Sequence, residues 1–82
     1  MDDLITKYMT FKLVEQKPKT QVWHIVNNTS GFLLGIISWY GTWRQYVFCP
    51  EEGSTFNDNC LETIQTFLTS LNNEYRRKQN AK

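Results

Sequence analysis

Residues Trp39 to Pro50 read WYGTWRQYVFCP, gathering two tryptophans, two tyrosines, a phenylalanine and one arginine around a single glycine. Gly41-Thr42 divides two apolar runs and suits a tight reversal between antiparallel strands. Pro50 ends the second run, because proline has no N–H to donate to a ladder. Rings with polar tips bury large areas at low rotamer cost, so the cluster is either the core of a small sheet or a docking surface. A strand supplies both, since alternate side chains point to opposite faces.

Toward the N-terminus, Phe32 to Tyr40 is the strand that enters the reversal. Before it, Asn27, Asn28, Thr29, Ser30 and Gly31 form a dense turn signal after the β-branched and aromatic run Gln21 to Val26, which predicts a hairpin. Lys17, Pro18 and Lys19 make a further loop, and Thr10 to Gln16 sets Phe11 and Leu13 against Lys12 as the first strand. Past Pro50 the period changes. Cys60, Leu61, Ile64, Phe67, Leu68 and Leu71 recur at intervals of three and four, one stripe of a helix. Asn57 is the expected N-cap, Asp58 suits the positive helix end, and Phe56 and Leu61 stand at staple positions. The expected fold is α+β, a four-stranded antiparallel meander with one C-terminal helix packed on one face. Residues 1–9 form an N-terminal arm, 10–72 a single domain, and 73–82 a basic helix end or frayed tail.

A chain of 82 residues has room for one core. Its apolar fraction of 40% and aromatic fraction of 15% exclude a disordered polymer. A net charge of +1 supplies no overall field for nucleic acid or anionic lipid, so such binding needs local clustering. The apolar run Phe32 to Ile37 is too short to span a membrane, and MDDLITKYMT lacks the features of a signal peptide. The expected compartment is the cytoplasm. There Cys49 and Cys60 are expected as buried thiols, and the overlapping sequons at Asn27 and Asn28 as no more than a turn.

Strand parity divides the sheet. Phe11, Leu13, Trp23, Ile25, Leu33, Ile37, Trp39, Val47 and Cys49 form the expected inner set. Lys12, His24, Ser38, Tyr40, Arg44, Tyr46 and Phe48 form the outer one, and a bulge near Gly35 or Gly41 exchanges the assignments beyond it. This outer set mixes rings with positive charge, as interface centres do, so Lys12, His24, Tyr40, Arg44, Tyr46 and Phe48 are the candidate partner-binding residues. Cross-strand stabilisation and burial against a second copy, as a homodimer, are the competing readings.

The same rings with the Arg76, Arg77, Lys78 cluster form an alternative nucleic-acid surface, although basic residues equally suit a solvated helix end. The order of elements is not that of an RNA recognition motif. For catalysis, the lone His24 with Cys49 and Cys60 makes a weak metal set without CxxC spacing, and the acids Glu51, Glu52, Asp58 and Glu62 are explained by the helix start. No phosphate-loop pattern follows a strand. The chain is therefore expected to be non-enzymatic, with no cofactor and no metal.

From Val22 to Leu71 the chain resembles small uncharacterised proteins of bacteriophages and integrative elements. Trp23, His24, Asn27, Gly31, Gly35, Trp39, Tyr40, Trp43, Arg44, Gln45, Tyr46, Phe48, Pro50, Phe56, Cys60 and Leu61 carry the resemblance. It transfers no activity. It implies a small accessory protein in a bacterial host cell that binds a protein partner, a host defence component being one candidate.

Overall fold

The computed structural model describes residues 4–80, and for 79 and 80 the backbone only. The ends of the expected arm and tail, residues 1–3 and 81–82, lie outside the described residues. Strands β1 (Leu4–Ile5), β2 (Met9–Gln16), β3 (Gln21–Asn27), β4 (Leu33–Tyr40) and β5 (Gln45–Pro50) are followed by helix α1 (Asp58–Asn80). Every neighbouring pair is antiparallel, in the order β1-β2-β3-β4-β5. The α+β meander with a C-terminal helix is thus present, but with five strands instead of the expected four. The added strand is two residues long, too short to show alternation, and it forms by pairing Leu4 with Phe11 and Ile5 with Thr10.

The turns follow from their residues. Asn27 Oδ1 accepts from the backbone N–H groups of Thr29 (2.8 Å) and Ser30 (3.0 Å), and Gly31 closes the turn at φ 79°, a left-handed conformation that costs glycine little. Asn57 caps α1 as expected, its Oδ1 accepting from the Cys60 N–H at 2.8 Å. The expected staple is replaced: Phe56 stacks edge-on against Phe48 at 5.4 Å, while Leu61 is 51% exposed.

Helix α1 covers one sheet face with rings. Phe67 lies 4.6 Å from Phe11 and 4.8 Å from Trp23, and Tyr75 lies 4.4 Å from Trp39. Ile25, Ile37, Met9 and Ile64 complete the buried centre. Removing a side chain of this size from water contributes about 1.5–3 kcal/mol, before its ordering cost.

Five face assignments need correction. Tyr46 and Phe48, expected outside, are opposite Trp39 and Ile37 and belong to the covered face; Tyr46 is only 5% exposed. Val47 and Cys49, expected inside, therefore face outward, and the Cys49 thiol is exposed. Both alternations of β5 are apolar, so periodicity could not choose between them. The choice is made by the loop, residues 41–44, which sets Tyr40 opposite Gln45. Leu33 also changes sides: an irregularity in the β3–β4 register places it opposite Val26, while Leu34 packs on the core.

Candidate functional site

The face of the sheet away from α1 is not covered by any element among the described residues. Register assembles it from Lys12 and Val22, then His24 and Val26, then Leu33, Ile36 and Ser38, and then Val47. Its middle is aliphatic and β-branched, with His24 between Lys12 and Ile36 in adjacent strands. Packing against neighbours on the same face leaves Val22, Val26, Leu33, Ile36 and Val47 half-buried. Lys12 and Tyr40 stand at its rim, both exposed. An antiparallel sheet tolerates a wet second face when that face is polar, whereas this one has the charge-poor middle of an interface.

Of the expected binding residues, Lys12, His24 and Tyr40 are on this side, whereas Tyr46 and Phe48 are not. The Tyr46 hydroxyl accepts from the Gln21 backbone N–H at 3.0 Å, and its own N–H donates to Asn72 Oδ1 at 2.7 Å. Burial pushes the Tyr46 phenol above its ordinary pKa, against the opposing pull of the Gln21 hydrogen bond. Tyr46 is a packed joint between strand and helix. Arg44 is in the loop before β5 instead of the strand, with φ 56°, and its N–H donates to the carbonyls of Tyr40 (2.9 Å) and Gly41 (3.2 Å).

Trp43, singled out only as part of the aromatic cluster, is 64% exposed beside Arg44 and packs edge-on against Tyr40 at 5.0 Å. The sequence signal for its position is the Gly41-Thr42 reversal, since a residue directly after those two can still lie in the hairpin loop. Arg76, Arg77 and Lys78 are exposed on the last part of α1.

The edge of β5 is protected. Tyr46, Phe48 and Pro50 alternate toward the open edge. The Tyr46 N–H is taken by Asn72 and Pro50 has none, leaving Phe48 as the one free donor of the three. Strand addition at this edge is therefore disfavoured, and the broad outer face is the better docking surface.

The catalytic alternative is not assembled. His24 and Cys49 flank Ile36 on the open face, about 10 Å apart at two strand spacings, and Cys60 is on α1 beyond the other face. Among the described residues no group of three or more His, Cys, Asp or Glu is placed to hold a metal ion. No described helix is long and apolar enough to cross a membrane.

An uncharacterised 9.3 kDa protein of Acholeplasma phage L2 is 32% identical over 80 residues, covering 96% of this chain and all of the phage protein. The chain belongs to the family of that phage protein. The similarity spans both faces of the sheet and the helix, so the sequence of elements described above is shared territory rather than a local motif. No family model matches the chain, and no solved structure matches it.

Proposed function

We propose that this chain is a non-enzymatic phage accessory protein whose open sheet face docks the apolar surface of a partner protein in the bacterial host cell. The aliphatic middle formed by Val26, Leu33, Ile36 and Val47 carries this reading: β-branched residues suit a strand on either face, but a charge-poor apolar stretch left uncovered among the described residues has the composition of an interface centre. His24, Lys12 and Tyr40 supply polar contacts around it. Tyr46 and Phe48 have no part in the surface. Membership of a phage protein family adds context and no mechanism.

Ile36→Lys tests the surface. A lysine there directs its charge outward along an aliphatic stem, so thermal melting changes little while docking is lost. The measurement is nuclease-treated capture from bacterial host lysate with wild type and variant, together with sedimentation of the pure protein. Capture of one protein that the variant abolishes supports the reading. A dimer that the variant splits assigns the face to a second copy, and capture unchanged by the variant overturns the proposal.

A further inference from the structure

Charge in this chain is separated along the molecule, which the near-zero net value conceals. The pairs Gln16–Gln21 and Tyr40–Gln45 put the β2–β3 and β4–β5 loops at the same end of the sheet. The contacts of Tyr75 with Trp39 and of Asn72 with Tyr46 bring the last turns of α1 to that end as well. Lys17, Lys19, Arg44, Arg76, Arg77 and Lys78 thereby share one pole with only Glu15 and Glu74 as described counter-charges. Glu74 is 3.9 Å from Lys78, and both side chains are well exposed, so that pair is weak. At the other pole, Glu51, Glu52, Asp58 and Glu62 surround the start of the helix, with Lys7, near Asn59 and Thr63, as the described counter-charge.

A helix C-terminus attracts cations and so accounts for Arg76, Arg77 and Lys78. It does not account for Lys17, Lys19 and Arg44, which come from two separate hairpin loops. Arg44 is more telling because it holds a left-handed backbone, where glycine fits without steric cost and arginine does not. Directly before it stands Trp43, largely exposed and braced by Tyr40. Between the β2–β3 loop and α1, Lys19 and Lys78 flank a cleft of about 210 Å3 with Tyr46 in its lining.

We propose that this basic pole binds single-stranded nucleic acid, with the cations on three separate segments meeting successive phosphates and Trp43 stacking on an unpaired base. A flexible strand can bend around a convex end and reach cations on all three segments, and an exposed indole offers any base a π-face. The cations and Trp43 lie outside the open sheet face and adjoin it at Tyr40, which braces Trp43 and stands at the rim of that face.

The test is fluorescence anisotropy of the full chain with a labelled mixed-sequence DNA 12-mer and its duplex, at low and at fourfold higher salt. Tryptophan emission is recorded alongside. Binding should favour the single strand and weaken on the order of 100-fold over that salt step, as expected for release of several counterions. Emission should be quenched in wild type and far less in Trp43→Phe, since Trp23 is buried and Trp39 is half-buried between Tyr46 and Tyr75. Arg76→Gln with Arg77→Gln should reduce the salt slope. Ile36→Lys, which breaks the protein-docking reading, should leave strand binding intact, so the two proposals fail separately. No binding at low salt, duplex binding equal to single-strand binding, or an unaltered response in Trp43→Phe overturns the proposal. Salt-sensitive self-association without uptake of the strand overturns it in favour of pole-to-pole contact between copies.

Discussion

Alternate residues of β5 enter two different environments. Tyr46 and Phe48 turn toward α1 and meet rings, Trp39 at 5.5 Å and Phe56 at 5.4 Å, whereas Val47 and Cys49 turn to the open side among smaller aliphatic neighbours. The contrast runs across the whole sheet. On the covered side one helix must fill the space above β2 to β5, and only bulky side chains reach far enough to close it at the density of a protein interior. On the open side nothing has to be reached, so β-branched residues suffice to pave it. Within the central strands the rings therefore gather on the covered face, Tyr40 at the rim excepted, and the plain aliphatic face is the one left for a partner.

The sharpest way to break this contrast is at Gly35. A Cβ there would be driven into the Phe48 ring and lie within 2.8 Å of the Cys49 carbonyl oxygen. Gly35→Ala should cost about 3 kcal/mol, the upper end of overpacking, measured as a fall in the urea midpoint. A loss below about 0.5 kcal/mol would show that Phe48 is free to move and that the covered face is not closed at β5.

A smaller effect is expected at the Tyr46 hydroxyl. Tyr46→Phe leaves the ring in place but removes the acceptor of the Gln21 N–H, at a cost of about 1 kcal/mol. Because burial raises the folded-state pKa, the stabilising preference for the neutral phenol is fully present below the unfolded value near pH 10 and is lost as pH rises through the folded one. Wild type should thus lose more stability than Tyr46→Phe between about pH 8 and about pH 11. Equal losses would mean that Tyr46 does not carry this alkaline sensitivity.

The smallest expected change has the opposite sign. Arg44→Gly relieves a left-handed backbone, offset partly by the greater freedom of glycine in the unfolded chain, for a net gain of up to about 0.5–1 kcal/mol. It should also weaken strand binding, so that stability and binding move in opposite directions. Destabilisation by Arg44→Gly would instead make the side chain a structural brace of the hairpin.

Much of this architecture is local chemistry and was legible. The Asn27–Gly31 turn, the Asn57 cap and the change of period after Pro50 each depend on residues within a few positions of one another. The covered face was legible in β2 and β3, where Phe11, Trp23 and Ile25 alternate with polar or smaller residues. It was not legible in β5, where either parity buries apolar atoms and a four-residue loop chooses between them. Half of the expected binding set survives on the outer face for the same reason.

Sequence by itself determined the kinds of element, their order and most of their ends, because periodicity, capping and turn formation act over one or two turns of chain. Only the tertiary structure decided which side of β5 is buried, that Leu4–Ile5 is a strand, and that cations scattered from Lys17 to Lys78 occupy one pole. Those outcomes depend on pairing register and on where a helix comes to rest. A net charge of +1 adds all charges without regard to position, whereas the field of a folded chain depends on where each is held.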